Sequence, residues 1–299
     1  MSLSNIKCPN CKELLIPKNQ NRVKTTSYYD CLRRCEKCEI GISNSKSKPT
    51  IIYKKYYENV PKALRQDLNF SLENALNILN RKNKINKFGF STSEDALTWS
   101  FFKYFVVSNK YIELLKILNI ESNETIFDIY LWGVNICTLN KNSVFLNQLV
   151  NVSDSFNEFS SRRTEPDVII KLHNKLIFIE VKYLSSNELR VDKEIFKKYT
   201  VPEVNLNDIA ESGHYELFRN WAFLSMMSKE EDFELINLGL EKLFIDKNKD
   251  KLLKFESSLY SKNGNFRKLS WEDVLQNVNN LVNDYWFIEY LTEKINASH

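Results

Sequence analysis

The sequence has few of the residues that several common classes of active site require. Six of its 299 residues are glycine, and it contains no glycine-rich loop that could cradle nucleotide phosphates. Its three histidines, His173, His214 and His299, give a Ser-His-Asp hydrolase or a histidine-based metal site few residues to draw on. These shortages argue against an ATPase and against histidine-centred catalysis.

Long apolar segments are also missing. No stretch approaches the roughly 18 apolar residues that span a membrane, and the first thirty residues lack the apolar core of a secretory leader. We therefore expect a cytoplasmic protein without a membrane partner, whose cysteines are reduced. The hydrophobic content of 43% supports a substantial core, enough for one large domain with a satellite or for two domains.

Two C-x-x-C pairs lie near the N-terminus. Each pair can present two thiolates from one tight turn, and four thiolates form a closed tetrahedral Zn²⁺ site. The spacing is similar to that of a zinc ribbon and predicts a structural zinc bound by Cys8, Cys11, Cys35 and Cys38. Cys31 is an alternative ligand, because it lies four residues before Cys35. Cys137 is predicted to be a core residue.

The positive charge is concentrated in the same part of the chain. Residues 1–60 contain twelve Lys or Arg and five Asp or Glu, whereas the remainder of the chain is slightly acidic. Arg33, Arg34 and Lys37 surround the second cysteine pair and are candidates for phosphate contacts. The tyrosines nearby could stack on bases or simply pack. The ribbon could equally dock another protein.

Further along, carboxylates and a lysine follow buried strands. Residues 176–179 predict a buried strand, and Glu180 and Lys182, two residues apart at its end, project from the same face. Asp167 begins the preceding strand, and residues 173–175 suit a hairpin turn. The hairpin is therefore expected to bring Asp167 close to Glu180.

This residue set suits the hydrolysis of a phosphodiester. Two neighbouring carboxylates repel each other unless a hard divalent cation such as Mg²⁺ bridges them. A metal would neutralise the charge that develops on a phosphate oxygen, and Lys182 could position or deprotonate the attacking water. The alternative is a structural salt bridge between Glu180 and Lys182.

Pro166-Asp167 and Glu180-Val181-Lys182 together resemble the signature of the PD-(D/E)XK nuclease superfamily. The resemblance implies a restriction-endonuclease-like αβββαβ core and a catalytic Mg²⁺ or Mn²⁺ bound by Asp167, Glu180 and the Val181 carbonyl. It also implies a DNA endonuclease of restriction or defence type that acts on duplex DNA. Since cutting both strands requires two active sites, a homodimer is compatible with this function.

The order of predicted elements can be matched to that core. A helix is predicted over 93–118, opened by a capping box from Ser91 to Glu94. The resemblance makes Glu94 an additional acidic residue of the metal site, and a cap is the alternative role. Strands over 124–132, 167–172 and 176–179 follow, and then come a polar excursion over 185–207, a helix over 208–227 and a strand over 233–240.

Arg219 lies on the second core helix, where the resemblance places residues that approach the phosphate. A surface salt bridge is the alternative role. We predict a zinc ribbon in residues 1–50, with a linker from residue 40, and a helical linker region in 51–90. That region would comprise a helix over 61–80 and a basic connection over 82–87. Residues 91–299 are predicted to form the nuclease-like domain, ending in a helix over 270–293.

The predicted function is therefore that of a metal-dependent nuclease with an α/β fold. The alternative function is a zinc-ribbon module that binds nucleic acid or protein and carries an inactive nuclease-like domain.

Overall fold

The computed structural model describes residues 3–19, 23–140, 143–187, 189–190, 192–229, 231–245 and 249–296. They form a mixed α/β structure, as predicted. None of the helices in these ranges combines the length and the apolar character that a membrane crossing requires. His299 and residues 188 and 191 of the predicted polar excursion lie outside the described ranges.

Two small antiparallel sheets form the N-terminal part. One pairs β1 (Ile6–Lys7) with β2 (Leu14–Leu15), and the other joins β3 (Arg33–Cys35), β4 (Ile40–Ile42) and β5 (Ile51–Tyr53). The second sheet thus extends past residue 50, and residues 40–42, predicted to begin a linker, form its central strand. The reason is burial: the isoleucines of β4 and Ile52 of β5 are each less than 5% exposed.

A six-stranded mixed sheet forms the centre of the remaining structure. Its strand order is β11-β10-β9-β8-β6-β7, with these bounds: β6 (Asp128–Leu131), β7 (Val134–Asn135), β8 (Val168–Lys171), β9 (Lys175–Val181), β10 (Asp232–Gly239) and β11 (Gly264–Ser270). β8 runs antiparallel to both of its neighbours, β6 and β9, whereas β9, β10 and β11 are parallel to one another. The hairpin of β8 and β9 is confirmed. β11 was not predicted, because its polar sequence becomes a strand only by pairing with β10.

The helices are shorter than predicted. Their bounds are α1 (Leu68–Glu73), α2 (Arg81–Phe88), α3 (Glu94–Val107), α4 (Tyr111–Ile117), α5 (Val144–Ser155), α6 (Glu194–Lys197), α7 (Leu206–Ser212), α8 (Tyr215–Ser228), α9 (Lys242–Ile245), α10 (Lys249–Ser257), α11 (Trp271–Leu281) and α12 (Tyr285–Asn296). The prediction of three continuous helices over 93–118, 208–227 and 270–293 is wrong, since each is two helices. Left-handed backbone at Asn109 and Gly213 interrupts the first two, and extended backbone at Val282 interrupts the third.

The segment before α3 also differs from the prediction. Residues 61–80 form α1 and two short 3₁₀ turns instead of one helix, and the predicted connection over 82–87 lies within α2. Lysine favours a helix more than asparagine does, and the segment mixes the two, so tertiary contacts decide here. In α2, Phe88 and Lys84 are both buried, Phe88 in the core and Lys84 in ion pairs described below.

The sheet separates two hydrophobic cores. On one face, Ile177, Ile179 and Val181 of β9 pack in the core that includes α3, α11 and α12; on the other, Leu176 and Phe178 pack with α8. Because side chains alternate along a strand, Glu180 and Lys182 lie on the face covered by α8. The fold thus places a charged strand end beneath one helix.

Candidate active-site cleft and cysteine cluster

The hairpin brings three predicted residues together at one end of the sheet. Val168 of β8 pairs with Ile179 of β9, so Asp167, just before β8, lies beside the following residue, Glu180. Asp167 Oδ2 accepts a hydrogen bond of 2.9 Å from the amide of Val181. The Lys182 ammonium lies 2.7 Å from Glu180 Oε1. Register and side-chain alternation therefore place Asp167, Glu180 and Lys182 in one cluster.

Glu94 reaches the same strand end from the N-terminus of α3. Its Oε2 accepts hydrogen bonds from the amide of Tyr183 at 2.7 Å and from the Ser185 hydroxyl at 3.0 Å. The predicted capping box from Ser91 is wrong, because α3 begins at Glu94 and Ser93 caps it by accepting from the amide of Ala96. Glu94 thus holds the chain that follows Lys182.

Two side chains of α8 that the sequence analysis missed complete the cluster. Glu216 Oε2 lies 3.0 Å from the Lys182 ammonium, and the Asn220 side-chain amide donates to Glu180 Oε2 at 2.8 Å. The signal was present, since residues four apart lie on the same face of a helix. Arg219 is a neighbour on α8 and lines the cleft.

A second buried lysine, also missed, lies close by. Lys84 is 5% exposed, and its ammonium lies 3.1 Å from Asp95 Oδ1 and 3.2 Å from Glu165 Oε1. It also lies 4.6 Å from the centre of the Trp132 ring. A lysine within a basic run gives no sequence signal for this position, because its acidic partners come from distant segments.

Burial dominates the electrostatics of the cluster. It raises the pKa of Asp167 well above its usual value, with the charge of Glu180 adding to the effect, and it raises the pKa of Glu94 to about 7. Burial alone would lower the pKa of Lys182, but Glu180 and Glu216 together raise it. Asp167 and Glu94 are therefore costly to ionise, and the Lys182 ammonium is strongly held.

The cluster lies in a cleft of about 940 Å³. Asp167, Glu180 and Lys182 line it, and so do Arg162 and Arg163. Residues 24–26 of the N-terminal part border the same cleft. An elongated polar substrate in this space would contact the charged strand end and the N-terminal part together.

The oxygen donors of the cleft suit a hard divalent cation. Asp167, Glu180 and the Val181 carbonyl offer the ligand type that Mg²⁺ prefers. A cation would stabilise the ionised form of Asp167 and so offset the burial and repulsion that raise its pKa. Both oxygens of Glu180 already accept hydrogen bonds, one from Lys182 and one from Asn220. Each oxygen keeps a second lone pair, so Glu180 could bind a cation beside these contacts.

The cysteine cluster is more compact. Within the described ranges it is the only group of three or more His, Cys, Asp or Glu whose ligand atoms all lie within 4.8 Å of one another, and it consists of Cys8, Cys11, Cys35 and Cys38. Although burial opposes it, backbone amides of Cys11 and Asn10 lower the pKa of the Cys8 thiol to about 7. These four cysteines are positioned to bind a metal ion, consistent with a structural zinc.

Cys31 lies apart from this group. Its thiol is buried, donates to the Ser27 carbonyl at 3.6 Å, and packs against Gly41, where an added Cβ would lie 2.5 Å from the sulfur. Burial raises its pKa to about 12. Gly41 is thus a glycine because the Cys31 side chain occupies the space beside it, and Cys31 packs in the interior.

The three basic residues predicted to contact phosphates differ in position. Arg33 is 1% exposed and donates to the backbone carbonyls of Ser4 and Ser43, so its guanidinium joins segments of the N-terminal part. Arg34 lies over the ring of Tyr28 at 5.6 Å. The side chain of Lys37 is 70% exposed and makes a loose ion pair of 3.6 Å with Glu13. Of the three, Lys37 is the most accessible to a ligand.

Comparisons of the chain with models of known protein families, with curated proteins and with solved structures give no match.

Proposed function

We propose that the protein is a metal-dependent nuclease of the PD-(D/E)XK type, which hydrolyses phosphodiester bonds in DNA. The observation that carries this proposal is the strand end where Glu180 and Lys182 project from one face beside Asp167, within a cleft. Two carboxylates and a lysine in this arrangement can supply the metal ligands and the water-positioning group for metal-assisted hydrolysis of a phosphodiester.

The order of elements supports the same proposal. A helix, three strands, a helix and a strand, namely α3, β6, β8, β9, α8 and β10, follow one another in the order that the superfamily core requires. The first three strands form an antiparallel series, and the last is parallel to β9. The remaining elements are insertions between these six or additions before and after them.

Asp167, Glu180 and the Val181 carbonyl would hold Mg²⁺ or Mn²⁺. When bound, the cation would neutralise charge on a phosphate oxygen. The Lys182 ammonium has three N–H donors, of which Glu180 and Glu216 take two. The third has no partner in the described part of the chain, so we assign it to the attacking water. Glu216 positions Lys182 for this role.

The cysteine cluster would bind a structural Zn²⁺ and hold the N-terminal part beside the cleft. Four thiolates leave no open coordination position, so this zinc would not act on substrate. Residues 24–26 border the cleft and Lys37 is exposed, so the ribbon would help to engage the DNA backbone. Duplex DNA remains our favoured substrate, cut by a homodimer with two active sites, in a restriction or defence role.

One observation favours a second function, that of a nucleic-acid or protein binding module with an inactive nuclease-like domain. Both oxygens of Glu180 are hydrogen-bonded within the protein, so the cluster is satisfied without a metal. These contacts are sufficient for a purely structural salt bridge between Glu180 and Lys182. The two functions differ in whether added metal produces cleavage.

The test is cleavage of methylated and unmethylated plasmid and phage DNA with and without added Mg²⁺ or Mn²⁺. Metal-dependent cutting that is lost in Lys182→Ala and Asp167→Ala would support the nuclease. Lys171→Ala is the matched control, because Lys171 is an exposed lysine of the same hairpin. Chelators should be avoided, since they would also remove zinc. DNA binding without cutting by the folded wild type would favour the binding module.

A further inference from the structure

A second cavity, which we call the side pocket, adjoins the catalytic cleft. Its volume is about 490 Å³, which is within the range of about 300 to 1,000 Å³ typical of small-ligand sites. Asn77, Asn80, Arg162 and Arg219 line both cavities. A polymer chain lying in the cleft could therefore continue into the side pocket without leaving the protein surface.

The side pocket carries unneutralised positive charge. Arg162, Lys198 and Arg219 line it and form no ion pair with any residue that the structure describes. Its acidic residue, Glu158, accepts hydrogen bonds from the Tyr199 hydroxyl and the Thr164 amide, both at 2.7 Å, and forms an ion pair with none of these three cations. The buried Nε of Arg219 has no hydrogen-bond partner. A group that brings negative charge and acceptor oxygens would satisfy these donors.

The same pocket also exposes apolar side chains. Phe159 is 76% exposed and Leu79 is 57% exposed, and both line the cavity. An exposed aromatic side chain is costly in water and offers a flat face for stacking. Cations together with an exposed ring complement a ligand that combines an anionic group with a flat apolar one.

We propose that the side pocket receives an unpaired nucleotide of the nucleic-acid strand that occupies the cleft, a proposal that rests on the nuclease function. Its phosphate would contact Arg162, Lys198 and Arg219, and its base would stack on Phe159. A base within a duplex is stacked on both sides and cannot enter a concave pocket, so the nucleotide must be single-stranded or extruded. The pocket would thus select substrates with an unpaired segment next to the cutting site.

Binding of fluorescently labelled oligonucleotides tests this proposal. The probes are a single-stranded DNA of mixed sequence, and a blunt duplex of the same sequence, measured by anisotropy without added divalent metal so that no cleavage occurs. We expect Arg162→Ala/Lys198→Ala to weaken single-strand binding about tenfold and duplex binding less. In a plot of the logarithm of the binding constant against the logarithm of salt concentration, the steepness of the slope should fall by roughly 0.7 for each phosphate that is no longer neutralised. Phe159→Ala should weaken single-strand binding by about fivefold or more.

Matched controls separate the pocket from general charge and aromaticity. Lys62→Ala/Lys116→Ala removes the same charge from exposed positions, and Tyr285→Ala removes an aromatic side chain that is 86% exposed. None of the three lines the side pocket or the cleft. We expect all three substitutions to leave single-strand binding within about twofold of wild type, and unchanged thermal unfolding would show that every variant is folded.

The outcomes distinguish the two proposals. Single-strand binding by the pocket variants equal to that of wild type would overturn the side-pocket proposal, even if the wild type cleaves DNA. The proposal would also be overturned if both pocket variants weakened the binding of single-stranded DNA and of blunt duplex by the same factor. Selective loss of single-strand binding in a protein that shows no metal-dependent cleavage would support the pocket and count against the nuclease.

Discussion

The cysteine cluster and the cleft cluster are both groups of potential metal ligands, but they balance their charge differently. The four cysteines face one another without a cation from the protein among them. In the cleft, Lys182 lies between Glu180 and Glu216, and Lys84 lies between Asp95 and Glu165. We therefore expect the first region to depend on a bound ion for its stability, whereas the second region supplies its own cations and should fold without one.

The largest expected effect is the loss of the metal from the cysteine cluster. Cys35→Ala should unfold the N-terminal part, since binding of structural zinc contributes on the order of 10 kcal/mol of folding free energy in small modules. All five tryptophans lie at residue 99 or beyond, so tryptophan fluorescence should change little. Limited proteolysis should cut within residues 1–53.

The control for that experiment is Cys31→Ala, a cysteine outside the cluster. It should retain bound zinc, measured by metal analysis, whereas Cys35→Ala should lose it. Loss of tryptophan fluorescence together with the zinc would show that the two regions do not fold separately, which would contradict the contrast between them.

The next largest effect should follow from removal of the internal cation of the cleft. Lys182→Met leaves Glu180, which is 5% exposed, without its charge partner, so we expect a loss of about 3 kcal/mol or more in the free energy of unfolding. Lys182→Met/Glu180→Leu should recover most of this stability in urea unfolding. Cleavage should remain reduced by roughly 100-fold or more in both variants. Equal stability of wild type and Lys182→Met would contradict a self-neutralised cluster.

Acid should weaken the cleft region by a smaller amount through His214. This side chain is 1% exposed, and burial lowers its pKa to about 4. Between pH 6.5 and 4 the unfolded chain binds a proton that the folded protein does not, so stability falls as the pH falls through this range. The loss should reach about 3 kcal/mol.

Urea unfolding followed by tryptophan fluorescence at pH 7.5 and 4.5 measures this difference. We expect His214→Leu to show a smaller loss on acidification than wild type. His173→Leu is the matched control, because His173 lies at an exposed turn and should leave the loss unchanged. The same acid sensitivity in His214→Leu and wild type would remove His214 as its cause.

The smallest effect is expected at the surface of the ribbon. On the proposed function, Lys37→Ala should weaken DNA binding about two- to fourfold by removing one exposed positive charge that would face the phosphates, and it should change stability by less than about 0.5 kcal/mol. Arg33→Met should instead lower stability and change DNA affinity little, since Arg33 is buried among backbone carbonyls. Anisotropy and thermal unfolding of the two variants measure the contrast. A larger loss of DNA affinity in a folded Arg33→Met than in Lys37→Ala would reverse the assignment.

The local sequence determined the features that depend on short spacings. Two C-x-x-C pairs were sufficient to predict the cysteine cluster, because a tight turn sets the distance between two thiolates. The apolar run of β9 predicted a strand, in which side chains two apart share a face, so Glu180 and Lys182 were expected together. The polar turn before it predicted the hairpin that adds Asp167. Each of these relations involves residues close together in the chain.

Tertiary structure decided the features that depend on distant partners. It placed Glu216 and Asn220 over the strand end, buried Lys84 between two carboxylates, and committed Arg33 to the interior. It also divided three predicted helices, because left-handed or extended backbone at a few positions is stabilised by packing rather than by propensity. Periodicity reports which face of an element is apolar, but the partner of a charged side chain is fixed only when the elements pack together.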